Sequence, residues 1–246
     1  MIDLNSSAIF SDQLNHHLDA AIVRDAGAET PRTYLGASLL GYECDRLIQY
    51  RFLRTAPDDG VSAKLQRIFA RGHDGEARVI RWFQRAGFLL MPVNPATGQQ
   101  WEMSMFDGRV LGHADGIFAD AGRPMPFVAP ALWECKVLGD KGWKRLVKDG
   151  LRKAYPHYYG QVQLLMTGLG LTKNPAIVTA VNGNDLSMHH EKVPFNPAES
   201  DLVAGRAHRI LLALDAGEPL PRGFITPDYM ECRWCDFRRR CWEIEQ

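Results

Sequence analysis

The sequence predicts an α/β fold in which a mixed central sheet is flanked by helices. Three observations carry that expectation. A helical rhythm of apolar residues runs through 64–86 (Leu65, Ile68, Phe69, Val79, Ile80, Phe83). Asp107-Gly108 gives a strong hairpin signal between the strand-like runs WEMSMF and RVLGHADGIF. The short apolar run ALWECKVL is followed by two helical stretches and then a further strand pair. Strands alternating with helices in this way build layered α/β domains.

Each element has its own warrant. Residues 11–25 read as an amphipathic helix with Leu14, Leu18, Ala21 and Ile22 on one side, and 44–54 as a second helix. Gly87 stops the helix over 64–86. In KGWKRLVKDGLRK the cations Lys141, Lys144, Arg145, Lys148 and Arg152 recur three to four residues apart, which is one helix face. Such a face either contacts phosphates or is merely solvated. Another helix runs from about 158 to 168, and AIVTAVN and LSMHHEKVPF form a strand pair that turns at Asn182-Gly183-Asn184. Residues 197–214 close the pattern as a helix.

Composition bounds the function. The 246 residues include 46% hydrophobic and 24% charged residues, enough for one domain with a sizeable core. Lys+Arg and Asp+Glu are equal at 29, so any nucleic-acid contact rests on local patches rather than on net charge. No run of about 18 apolar residues marks a membrane span. MIDLNSSAIFSDQL lacks the pattern of a secretory leader, and a cytoplasmic location is expected. No GxxxxGK[ST] motif marks an ATPase motor.

Two strands carry the chemistry. Gly112-His113-Ala114-Asp115-Gly116 lies on one and Trp133-Glu134-Cys135-Lys136 on the other. Residues two apart on a strand share a face, so Glu134 and Lys136 point together and Cys135 points away. If the strands are neighbours, Asp115 lies beside Glu134. Two carboxylates sharing a site repel unless a cation sits between them. Hard oxygen ligands suit Mg²⁺ or Mn²⁺. A surface ion pair between Glu134 and Lys136 is the plainer alternative, but the apolar flanks make this an interior strand, where a charged pair wants a functional reason.

Five cysteines are present. Cys232, Cys235 and Cys241 form a C-x2-C-x5-C run, and Cys44 stands far upstream before a helix. Four thiolates suit either an iron–sulfur cluster or a tetrahedral zinc. With ligands near both ends, such a centre clasps about 34–60 to about 225–246 and closes a very long loop. Arg46, Arg51, Arg54 and Arg238 to Arg240 are then expected to line one region, as a DNA path or a solvated surface.

GHADGIF followed by WECK resembles motifs II and III of the PD-(D/E)XK nucleases. YYGQVQLLMTG is similar to the glutamine-bearing helix of the lambda exonuclease (YqaJ) type and of the RecB-like branch; the tyrosine that usually follows the glutamine in the RecB-like branch is replaced by Met166 and Thr167. ARGHDGEARVIRWF resembles the motif I helix. The resemblance spans about 65–190. It implies that Asp115, Glu134 and the backbone carbonyl of Cys135 hold the catalytic metal, with Glu76 close to it and His73 a less well-placed alternative. It makes Lys136 catalytic and Gln161 a support for the site. Tyr158 falls where those branches have a tyrosine before the Gln-x-Gln segment, and joins Lys141, Lys144, Arg145 and Lys148 as an expected nucleic-acid contact. The cysteine pattern resembles the iron–sulfur nucleases, including the CRISPR-associated RecB-like exonucleases and the AddB subunit of helicase–nucleases; that resemblance favours [4Fe-4S] over Zn²⁺. The resulting expectation is a single-domain, Mg²⁺- or Mn²⁺-dependent DNA exonuclease acting on single strands or free ends. Recombination, repair or CRISPR proteins are its expected partners. The rival from another class is a non-catalytic nucleic-acid-binding protein with the same fold and a structural zinc.

Overall fold

A computed structural model describes residues 7–28 and 32–244. Residues 1–6 of the N-terminal reading and 245–246 of the expected C-terminal clasp lie outside the described residues. The elements follow the expected order. Helix α1 spans Ser7–Ala28, strand β1 Leu35–Gly36, helix α2 Ala37–Leu40, helix α3 Asp45–Phe52 and helix α4 Ala63–Arg85. Strands β2 (Leu90–Met91), β3 (Trp101–Met105), β4 (Val110–Ala114), β5 (Gly116–Phe118) and β6 (Ala131–Leu138) come next. Helices α5 (Asp140–Ala154) and α6 (Pro156–Gly168), strands β7 (Ala176–Asn182) and β8 (Met188–Val193), helix α7 (Pro197–Ala216) and the short α8 (Met230–Arg233) complete the chain, with a π-turn at Arg240–Ile244.

The sheet is not single. Strands β2-β5-β6-β7-β8 form a five-stranded mixed sheet, in which β6 and β7 run parallel and the other pairs antiparallel. A separate three-stranded sheet has the order β1-β4-β3. The run expected as one strand, RVLGHADGIF, breaks at Asp115 and hands the chain from the small sheet to the large one. Close packing demands the glycines on either side of the break. A Cβ on Gly112 would lie 2.8 Å from Ala37 Cβ, and one on Gly116 would lie 2.9 Å from Leu90 Cδ1 and 3.2 Å from the Met91 carbonyl.

β6 is the central strand, and its alternation sorts the two layers. Leu132 and Leu138 face the core built with α5, α6 and α7, among Leu146, Val162 and Leu165. Ala131, Trp133 and Cys135 face the opposite core against Val79 and Phe83 of α4. Helix α4 is capped by Ser62, whose hydroxyl accepts from Leu65 N–H. Helix α1 departs from expectation. Its apolar face is not buried, since Leu14 and Leu18 are 48% and 59% exposed; the helix packs on α4 and pairs Asp19 with Arg67.

The two chain ends do meet. Tyr50 of α3 packs on Phe237 with ring centroids 5.2 Å apart, beside Cys241. Gln49, buried, donates to the Glu218 carbonyl at 2.6 Å and accepts from Leu220 N–H at 2.8 Å. Arg46 donates to the Leu220 carbonyl, and the Asp58 carboxylate accepts the backbone N–H of Arg239 and Arg240. The clasp is therefore built of protein contacts, and its hydrogen bonds join residues 169 to 182 apart in sequence. Gln49→Ala leaves the buried Leu220 N–H without its acceptor and the part-buried Glu218 carbonyl without its donor, and is expected to cost about 1–3 kcal/mol. Urea unfolding checks this: the midpoint should fall at unchanged slope, and an unchanged midpoint would show the network to be redundant.

Candidate active site

The acidic residues meet where the two sheets join. Because Gly116 pairs with Trp133 in the antiparallel β5–β6 ladder, the preceding Asp115 falls beside Glu134. Asp115 Oδ2 accepts the Cys135 backbone N–H at 2.7 Å, across the break in the strand. Glu134 is fully buried. Its Oε2 accepts from Lys136 Nζ at 2.8 Å and from Gln161 Nε2 at 3.4 Å. Its Oε1 is buried with no hydrogen-bond partner. Lys136 is largely buried and lies 5.1 Å from the centroid of the Tyr158 ring.

Helix α4 closes the other side. Glu76 and His73 line a cleft of about 450 Å³ together with Asp115 and Gln161, and Glu134 lies behind Gln161. The sequence reading missed further lining residues: Arg32, Tyr34 and Ser38 from the segment around β1, and Gln100 and His113 from the small sheet. No local motif marks the first three, because they reach the cleft only through the pairing of β1 with β4.

The electrostatics are those of too many acids for one cation. Burial, then the nearby Asp115, pushes Glu134 up to about 8, against the pull of Lys136. Burial, then Asp115, pushes Glu76 up to about 7. Burial also raises Asp115, opposed by Lys136 and the Cys135 N–H. Lys136 is held cationic by Glu134 and Asp115. A buried carboxylate oxygen without a donor, among three acids sharing one ammonium, fits a hard divalent cation. Among the described residues, however, no three His, Cys, Asp or Glu side chains converge on one point as they stand. Internal donors hold Asp115 Oδ2 and Glu134 Oε2 instead.

The other expected residues fall as follows. The Cys135 side chain turns into the α4 core, away from Glu134 and Lys136, as alternation requires. The basic helix is not one continuous stripe. Gly150, at φ 75°, breaks α5, and Leu151 N–H is accepted by Glu191 beyond the break. Lys144 pairs with Asp140, Arg145 reaches the Ala154 carbonyl and the Tyr155 ring, and Arg152 lies over Tyr159. Lys141 and Lys148 are exposed, with no partner recorded among the described residues. The arginines expected near the clasp are also engaged internally: Arg46 with Leu220, Arg51 with Asp236 and the Tyr42 ring, and Arg239 with Asp58.

Cys44, Cys232, Cys235 and Cys241 line one small enclosed space of about 20 Å³, walled by Gly223 and Trp242. None is in a disulfide. Burial pushes Cys235 up to about 11 and raises Cys232. The donor set fits zinc or an iron–sulfur centre. The enclosed space is near that of a single water. Among the described residues the thiols do not converge as a ready metal site, so they would have to move to hold either an ion or a cluster.

No family model matches the chain, and no curated protein matches it. Solved structures do. The crystal structure of LHK-Exo, an alkaline exonuclease from Laribacter hongkongensis, superposes with a TM-score of 0.52 at 15% identity, over 82% of this chain and 93% of that one. This chain has the fold of that exonuclease. The same enzyme in complex with dAMP gives a TM-score of 0.51 at 15% identity, with the same coverage. The likeness is one of fold, a mixed sheet flanked by helices, which is the class that the order of strands and helices in the sequence predicts. Among the described residues no helix is long and apolar enough to cross a membrane.

Raised carboxyl groups make stability fall with pH. The folded cluster binds protons more tightly than the unfolded chain, so the penalty is absent below the ordinary value of 4.5 and complete once pH passes about 7 for Glu76 and about 8 for Glu134. In chelator, the urea midpoint is expected to fall over that range more steeply for the wild type than for Glu76→Gln, and Mn²⁺ should flatten the difference. Parallel pH profiles for the two proteins would contradict this.

Proposed function

We propose that the chain is a divalent-metal-dependent nuclease that degrades DNA from an end or along a single strand. One observation carries the reading: the buried Glu134, bonded to Lys136 and Gln161, faces Asp115 at a break between two sheets. Asp115, Glu134 and the Cys135 carbonyl would hold Mg²⁺ or Mn²⁺, with Glu76 close to the ion and His73 the weaker candidate as a ligand. The ion, when bound, supplies a Lewis acid and an acidified water. Lys136 brings a cation that is fixed between Glu134 and the Tyr158 face, and so can offset charge on a phosphate oxygen without reorganising. Gln161 keeps the Glu134 carboxylate in one orientation. Glu76, poised near neutrality, can take a proton from an attacking water. Lys141 and Lys148, with Tyr158, Lys144 and Arg145 nearby on α5 and α6, are the proposed DNA contacts. That the neighbour of like fold crystallises with dAMP supports a nucleotide-sized occupant for the cleft. The nuclease core is taken as about 65–190 of a single unit, working with recombination, repair or CRISPR proteins in the cytoplasm.

End-labelled single- and double-stranded DNA tests the reading. Asp115→Ala, Glu134→Ala and Lys136→Ala are each expected to lower cleavage in Mg²⁺ or Mn²⁺ by about 10²-fold or more while the protein stays folded. Full activity in any of the three would overturn it, in favour of a non-catalytic DNA-binding protein.

We also propose a thiolate metal centre at the clasp. Resemblance favours [4Fe-4S], whereas the small enclosed space favours zinc. Metal and sulfide analysis of anaerobically purified protein decides between them. Cys44→Ser and Cys235→Ser are expected to lose the metal and lower the melting temperature, while Cys135→Ser keeps it. Metal content indifferent to Cys44 would rule the centre out.

A further inference from the structure

A second cleft, of about 550 Å³, opens beside the acidic one. It is lined by Asn94, Thr97, Gln99, Gln100, Glu102 and His113. Gln100 and His113 line both clefts, so the two are continuous, and His113 lies two residues before Asp115.

The second cleft is built, not incidental. A bridge between Val93 and Gln100 closes the loop that forms one wall. Within the loop, Asn94 N–H donates to the Gln99 carbonyl at 2.7 Å, and Gly98 N–H to the Asn94 carbonyl at 2.8 Å. The Asn94 and Thr97 side chains accept the N–H groups of Ala96 and Gln99. The loop thus satisfies its own backbone and is held in one shape. The floor is the cross-strand pair of Glu102 and His113, 3.1 Å apart. The exposed amides of Gln99 and Gln100 stand over it; Gln100 makes only a long contact, 3.4 Å, to the Ala114 carbonyl.

The chemistry of the lining selects the occupant. Among the described residues no lysine or arginine lines this cleft, and Glu102 repels anions, so it is unsuited to phosphate. It holds no aromatic ring but His113, so stacking is not its main means of recognition. What it offers is uncharged hydrogen bonding. Side-chain amides carry donors and an acceptor together, the pattern that matches base edges. Those edges are free only where a base is unpaired. We propose that this cleft receives the bases of the unpaired strand adjacent to the scissile phosphate, while the sugar–phosphate chain runs along the acidic cleft and its Arg32 wall. The inference rests on the nuclease reading above and adds to it a contact to bases in single-stranded form.

The test uses the full chain in Ca²⁺, with fluorescein-labelled single-stranded DNA and an abasic strand of equal length. Anisotropy should show the wild type binding the base-bearing strand about fivefold or more tightly than the abasic one, the lower range of one amide–base pair. In Gln99→Ala, at an exposed position that lines this cleft and not the acidic one, that ratio should fall towards one, with the abasic affinity unchanged. Gln99→Met, which keeps the length of the side chain and removes only its amide, gives the same readout. A wild-type ratio near one, or a ratio unmoved in the variants, overturns the proposal and leaves the nuclease reading standing. Failure of the wild type to bind either strand overturns both.

Discussion

A carboxylate with no solvent exposure sits on the central strand of the sheet, and much of the molecule is arranged around it. Burying Glu134 is costly unless its charge and its lone pairs are met. Lys136, two residues on and therefore on the same face, meets the charge; Gln161 reaches down from α6 to the same oxygen. The second oxygen is left without a donor. Replacing the group with an apolar residue would make a more comfortable core, so the arrangement is retained against stability. Asp115 aggravates it. The strand break that delivers Asp115 requires two glycines pressed against neighbours on both sides. Such a site is costly to build.

The clasp between the chain ends bears on this site through the cleft wall. Segment 32–38 contributes Arg32, Tyr34 and Ser38 to the acidic cleft, and α2 follows directly. Gly41, at the end of α2, lies so close to the start of α6 that a Cβ there would clash with the His157 backbone. Tyr42 stacks on the His157 ring at 5.2 Å, and burial holds His157 down to about 4, hence neutral. Arg206 of α7 donates to the Leu40 and Tyr42 carbonyls and pairs with Asp45 of α3. The network that joins α3 to the C-terminal segment therefore also fixes one wall of the cleft against the helix that bears Gln161. A metal at the four cysteines would tighten a junction that already exists.

Much of this was legible from local pattern. ALWECKVL is a strand over its whole length, and period-two alternation alone separates Glu134 and Lys136 from Cys135. The α4 helix and the placement of Glu76 on it follow from a 3.6-residue rhythm. What was not legible depends on distant partners. RVLGHADGIF does carry a turn dipeptide, Asp115-Gly116, but the dipeptide alone does not say that the run divides between two sheets; packing on Ala37 and Leu90 sets that. The basic periodicity of α5 ignores Gly150, whose left-handed backbone turns Arg152 towards Tyr159. The apolar stripe of α1 is real, but the fold leaves Leu14 and Leu18 exposed. The polar cleft joins a turn to two strands, and although the strands alternate, no local pattern places the turn beside them.

The role proposed for Asp115 and Glu134, with Glu76 close beside them, is to hold a divalent cation. Mn²⁺ titration followed by electron paramagnetic resonance measures that directly, without substrate and without turnover. The wild type is expected to remove free Mn²⁺ from solution in simple proportion to protein, more tightly at pH 8 than at pH 6 because the raised carboxyl groups must lose their protons first. Glu134→Gln and Asp115→Asn should leave the free signal close to that of buffer. Wild-type protein that leaves the Mn²⁺ signal untouched, or variants that bind as it does, would contradict the central claim.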